Sequence, residues 1–230
     1  MKNIALITGA NSWLGTQIIS QLASEGWGVI AASNDAKTDD ENPDVFPVAW
    51  DVNDQALTMN AVAAGLSRFG RIDALINVPN VDVSRIKRGD FGQAAQEIFQ
   101  NAVADSLQAT LALLPLFRRQ GYGAITQVVM RTSAERAGTE TSWQIVHGVA
   151  AKLSASLNDF SSKSNIGICL SKVQLEEMED VLKLDSKSNI CRKVIDQTVQ
   201  TLGKVRQSFI RGAALSPQQY RWLYQWQHAA

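Results

Sequence analysis

The sequence predicts an α/β fold: one doubly wound parallel sheet covered by helices on both faces, in a single domain over residues 1–230. Three observations predict it. Apolar runs of strand length alternate with longer segments of helical period. The first run feeds straight into a glycine turn, "TGANSWLG". Polar residues suited to a ligand stand just after strands, where open sheets of this kind bind.

The elements follow in order. "NIALIT" is a short buried strand. Residues 14–25 are helical, with Leu14, Ile18 and Leu22 at a four-residue spacing. "WGVIAAS" is the second strand, and the acidic, polar "NDAKTDDENPD" after it reads as a surface loop. "VFPVAWDV" is the third strand, ended by Asp51. Residues 54–69 form a second helix and "IDALINV" a fourth strand. Residues 91–119 are helical, with Pro115 as a candidate break. "GAITQVVM" is a fifth strand. Residues 143–160 form a helix with Val149, Leu153 and Leu157 on one face, and "NIGICLS" is the sixth strand. A βαβα order implies parallel pairing.

Composition narrows the function. The net charge is zero and no basic run is long, which argues against a nucleic-acid partner. The halves differ: residues 1–115 hold 7 basic and 13 acidic side chains, residues 116–230 hold 15 and 9. No apolar stretch has the length of a membrane span. Cys169 and Cys191 make no disulfide framework, and no Cys/His cluster has metal-ligand spacing, so no metal is expected. "MKNIALITGA" serves the fold rather than reading as a cleaved signal, and a cytoplasmic location is the default expectation.

Three landmarks carry a family resemblance: "FGRIDALIN" from Phe69 to Asn77, "WDVND" around Asp51, and "TGANSWLG". In order and spacing they resemble the short-chain dehydrogenase/reductase family, from Met1 to about Leu170. The resemblance implies a Rossmann-type fold, oxidoreductase chemistry and an NAD or NADP cofactor. It places cofactor contacts at Gly9, Asn11, Ser12, Trp13, Leu14, Gly15, Ser33, Asp51, Val52 and Asn77. Asp51 would contact the adenine. An acidic residue at Ser33 would point to NAD and an Arg at Asn34 to NADP; neither is present, so the choice is open.

The chain then departs from the family. The middle glycine of TGxxxGxG, which lets a pyrophosphate approach the backbone, is Trp13. After the fourth strand NNAG is "NVPN". Aligned on Ser156–Leu157 and "IGICL", the family's Tyr, Lys and Ser fall on Trp143, His147 and Met130. A competing alignment uses Lys152 and puts Gly148 at the Tyr. The relay Asn maps to Ala102, one place from Asn101, and "SKVQLEEMED" lacks the family's Pro-Gly pair.

The leading expectation is an oxidoreductase-like protein, a pseudoenzyme with impaired or lost hydride transfer and weak or lost nucleotide binding, acting as a binding or assembly subunit. One alternative is an active NAD(P)(H)-dependent oxidoreductase of a small carbonyl or alcohol, using His147 or Ser133 for protons. Another is a nucleotide- or metabolite-sensing regulator. Glu135 is a further polar candidate beside Ser133. Arg85, Lys87 and Arg88 suit an anionic ligand or a solvated face. The partner is expected to be a second copy, as dimer or tetramer, or an active relative. The contacts would come from 91–119, 143–160 with its small Ala150, Ala151, Ser154 and Ala155, and the aromatic tail holding Tyr220, Trp222, Tyr224 and Trp226.

Overall fold

The structure, a computed structural model, describes residues 2–35, 42–51, 53–79, 105–130, 167–175 and 184–212, with single helical positions at 152, 155, 156 and 159. Its described strands are β1 (Ile4–Thr8), β2 (Gly28–Ser33), β3 (Val45–Ala49), β4 (Ala74–Asn77), β5 (Tyr122–Met130) and β6 (Gly167–Leu175). Its described helices are α1 (Trp13–Ser24), α2 (Gln55–Phe69), α3 (Asp105–Gln120) and α4 (Leu184–Gly212). All strand pairs are parallel, in the order β3-β2-β1-β4-β5-β6. The doubly wound sheet is therefore as expected. Strand order reverses between β1 and β4, which puts the ligand crevice at their carboxyl ends.

Strand alternation sends side chains to two cores. Ala5 and Ile7, Val29 and Ala31, and Ala74 and Ile76 face α1 and α4. Leu6, Ile30, Val48, Leu75 and Ile125 face α2 and α3. Ser12 caps α1 and Asp54 caps α2, each side chain accepting a backbone N–H of the first turn. Such a cap contributes about 1 kcal/mol. Gly70, at φ 78°, closes α2 in a left-handed turn.

Four details differ from the sequence reading. β3 ends at Ala49, so Trp50 and Asp51 lie beyond it. Pro47 fits inside β3 because that strand is an edge of the sheet. α3 runs through Pro115 without a break. Pro115 and Leu111 both lie on the exposed face of the helix, where the Leu111 carbonyl loses its helical donor. β6 continues to Leu175, so Lys172–Leu175, beyond the expected end at Ser171, are strand rather than a connecting turn. α4 was not anticipated. Its buried Cys191, Val194, Ile195, Thr198, Leu202 and Val205 recur at helical spacing.

A buried carboxylate gathers the amino ends of the strands. Asp73 is fully buried. Its Oδ2 accepts the Ile4 N–H at 2.8 Å and Arg71 Nε at 3.0 Å. Its Oδ1 accepts the Tyr122 hydroxyl and, at 3.1 Å, Arg206 Nη2 from α4. Arg206 also stacks 5.5 Å from the Tyr122 ring centre. β1, β4, β5 and α4 thus meet at one side chain. Burial, then the Asp73 charge, push the Tyr122 hydroxyl pKa upward, so it stays a donor.

Removing one partner of a buried pair costs about 3–5 kcal/mol, because the remaining charges are stranded. Asp73→Asn should therefore lower unfolding free energy by about that amount, while a surface change such as Asp196→Asn costs under about 1 kcal/mol. Urea denaturation of both variants checks this.

Candidate functional site

The glycine turn links β1 to α1. Gly9 has φ 63°, a conformation that L side chains rarely adopt. A Cβ there would lie 2.3 Å from the Val78 carbonyl oxygen. A Cβ on Gly15 would lie 2.2 Å from the Gly9 carbonyl oxygen. Both retained glycines are therefore required by the chain's own packing, with or without a ligand. Ser12 Oγ accepts the Gly15 N–H at 3.0 Å and donates to the Gly9 carbonyl at 2.7 Å. The Ala10 N–H bonds the Ala32 carbonyl at 3.1 Å and fixes the turn to β2. Leu14 is buried and Asn11 exposed.

Trp13 is the first residue of α1, where the positive end of the helix meets the crevice. It is 37% exposed, so the indole is not part of the core. No acidic residue occupies the first turn of α1.

The other cofactor candidates are also engaged by the fold. Asn77 is buried. Its Oδ1 accepts the Thr8 hydroxyl at 3.3 Å, and its Nδ2 donates to Gln127 Oε1 at 3.2 Å and to the Ser106 carbonyl at 3.5 Å. Asp51 Oδ1 accepts the Asn53 backbone N–H at 2.8 Å and its side-chain Nδ2 at 3.2 Å. The Asp51 carbonyl accepts the Thr58 hydroxyl at 3.0 Å. Ser33 is buried and donates to Asp35 Oδ1 at 3.1 Å. The crevice thus brings together the ends of β1, β2, β3 and β4, with the first turn of α3 beside Asn77.

Several candidates lie outside the described residues: Val52, Asn80, Arg85, Lys87, Arg88, Asn101, Ala102, Ser133, Glu135, Trp143, His147 and Gly148. Met130 is the last residue of β5, at the carboxyl edge. Lys152 is helical and exposed. Tyr122 lies at the opposite end of the sheet, bonded to Asp73, which removes it from the crevice. Among the described residues no group of His, Cys, Asp and Glu could hold a metal ion, and no helix is long and apolar enough to cross a membrane.

The sequence reading missed Asp105. Its Oδ1 is buried without a hydrogen-bond partner. Burial first, then the nearby Asp51 charge, raise its pKa from 3.8 to about 7. A signal was present: a carboxylate in a helical segment that must cover an apolar sheet. In the unfolded chain the group keeps its ordinary pKa. Between about pH 4 and 7 the folded state therefore holds a proton that the unfolded state has lost. Stability from this group falls as pH rises across that window. Asp105→Asn should flatten the decline and be the more stable protein at pH 8; denaturation midpoints at several pH values check it.

Residues 3–144 match the family model described as short chain dehydrogenase. Oxidoreductase BOA17 of Botryotinia fuckeliana is 32% identical over 56% of this chain and 49% of its own length. The short-chain reductase protein NovJ of Streptomyces niveus is 25% identical over 68% and 64%. The chain thus spans less than two thirds of either relative. Among solved structures, serine dehydrogenase from Escherichia coli has a TM-score of 0.66 at 16% identity, covering 84% of this chain and 89% of that one. A 3-ketoacyl-(acyl-carrier-protein) reductase from Brucella melitensis, complexed with NADH, has a TM-score of 0.60 at 20% identity, covering 76% and 75%. At these identities the structures speak to the fold alone. The matched family model, with the six-stranded parallel sheet, makes this chain a member of the short-chain dehydrogenase/reductase family.

Proposed function

We propose that this chain is a family member whose NAD(P)-dependent hydride transfer is impaired or lost, and that it acts as a binding or assembly subunit. One observation carries the reading. Of the family residues kept at the crevice, Gly9, Gly15 and Asn77 are required by the chain's own packing and hydrogen bonds, and Asp51 is engaged in its own turn with Asn53. The glycine position that serves a pyrophosphate instead holds Trp13 at the helix start. Trp143, His147 and Met130 at the Tyr, Lys and Ser positions support the same reading from sequence. An indole N–H donates but does not exchange a proton usefully at neutral pH. Loss of general acid–base catalysis costs about 10²–10⁴ in rate.

The NADH-bound relative supports residual affinity for a nicotinamide nucleotide, weakened by Trp13. The purified chain should consume no NADH or NADPH over a broad carbonyl panel, and Trp13→Gly should bind the dinucleotide more tightly by calorimetry. Turnover near about 1 per second, abolished by His147→Ala, would establish the active-enzyme alternative.

Assembly has support of its own. Leu107 and Leu111 lie one turn apart on α3, 38% and 51% exposed. On this reading they meet a second copy or an active relative. Sedimentation at micromolar concentration should show a dimer or larger, shifted toward monomer by Leu111→Glu; an unshifted dimer would place the interface elsewhere.

A further inference from the structure

The first turn of α3 carries a carboxyl group to the edge of the crevice without the bonds that would hold it there as an ion. Ser12 and Asp54, at the starts of α1 and α2, each accept a first-turn N–H. Asp105 Oδ1 is buried and accepts none. A buried carboxyl that lacks donors and faces a like charge favours its protonated form, and the Asp105 pKa is raised accordingly, to about 7. Asp51, just past β3, is the charge among the described residues that reaches it. α3 packs on β1, β4, β5 and α2. Their other charged and titratable groups lie elsewhere. Asp73, before β4, and Tyr122, at the start of β5, meet at the amino ends of the strands. Lys2, before β1, pairs with Asp44. On α2, Asp54 is occupied by the Leu57 N–H, and Arg68 in the last turn donates to the Pro43 carbonyl. Arg118 and Arg119 sit in the last turn of α3 itself, about 20 Å along the helix.

The same turn is tied to the floor of the crevice. The Ser106 carbonyl accepts Asn77 Nδ2 at 3.5 Å, a long and weak bond. The bond from Asn77 Nδ2 to Gln127 Oε1, at 3.2 Å, lies within the sheet. Farther along α3, Ala109, Leu113, Leu116 and Phe117 are buried and fix the rest of the helix. We infer that Asp105 is a proton-operated switch on the crevice floor: the neutral acid lets the first turn of α3 close on Asn77, and the carboxylate draws that turn outward and breaks the Ser106–Asn77 contact. The ionised group gains water and distance from Asp51, and the movement costs one long hydrogen bond. Opening is local, because the buried side chains beyond the first turn keep their packing. The switch belongs to the crevice itself and is independent of whether hydride transfer survives.

NMR of the full chain, titrated from about pH 4 to 9, reads the ionisation and the floor separately. The Asp105 carboxyl carbon should titrate with a midpoint between 3.8 and about 7, because opening lets water relieve part of the burial. The Asn77 side-chain amide should shift with that same midpoint. Asp105→Asn should remove the Asn77 shift, and Asp51→Asn should move both midpoints to lower pH. The Ile4 amide, bonded to Asp73 at the other end of the sheet, should stay still in every protein and reports that the fold is intact. Hydrogen exchange, corrected for its intrinsic dependence on pH, separates movement from a field effect. Amides bonded to the first-turn carbonyls of α3 should lose protection above the midpoint in the wild type and keep it in Asp105→Asn. An Asp105 midpoint at the ordinary 3.8, an Asn77 amide that does not follow it, or an Asn77 shift that persists in Asp105→Asn would overturn the switch. So would midpoints unmoved by Asp51→Asn, or first-turn protection that is the same on both sides of the titration.

Discussion

The parallel sheet depends on how its amino ends are held, and Asp73 holds those of β1, β4 and β5. Parallel strands share no tight turns, so their register must come from contacts made after long crossovers. Asp73 receives groups from β1, from β5 and from α4, whose Arg206 lies 133 residues away in sequence. With the register fixed below, the carboxyl ends fall into line: Thr8 opposite Asn77, and Asn77 opposite Gln127. Hydrogen bonds of 3.3 and 3.2 Å then join those three side chains in a row across the crevice. The floor of the site follows from a charge cluster at the other end of the sheet.

That dependence explains why the family landmarks are unevenly informative. "FGRIDALIN" is the strongest part of the resemblance, and in the structure it is the most deeply structural: Arg71 and Asp73 anchor the strands and Asn77 bridges them. Gly9 and Gly15 are likewise packing residues. A chain can lose its chemistry and still keep all of these, because their loss would cost the fold. Recognition of the family and recognition of the activity therefore draw on different residues.

The sequence made the sheet legible because strand burial is periodic and the helix caps, Ser12 and Asp54, are local signals. It hid α4, whose buried face includes Cys191, Thr198, Thr201 and Arg206. Polar residues there blur the apolar stripe, although Thr198 meets Thr126 of β5 at 2.8 Å and Arg206 meets Asp73. Such pairings are tertiary facts, invisible to a local pattern. Pro115 misled in the other direction: Leu113, Leu116 and Phe117 are buried on either side of it, and packing of that face carries the helix through. Near the crevice, the glycine turn and the place of Asp51 just after β3 were legible in the sequence as structure. The Asp105 ionisation and the Ser33–Asp35 contact were not, because each depends on burial or on a rotamer.

Magnitudes separate weakened binding from lost turnover. A helix N-terminus acts as roughly half a positive charge. At an effective dielectric of about 20, a phosphate charge about 4 Å away gains ~2 kcal/mol, and one displaced to about 7 Å gains ~1.2. Displacement by an indole thus costs about 1 kcal/mol per phosphate charge, near a factor of five, before steric terms. On the proposed reading, Trp13 by itself weakens a dinucleotide without excluding it. Catalysis is more exposed to loss: proton transfer and substrate orientation each contribute several kcal/mol and fail together when the Tyr, Lys and Ser positions change. A family member can therefore lose turnover while its crevice keeps its form.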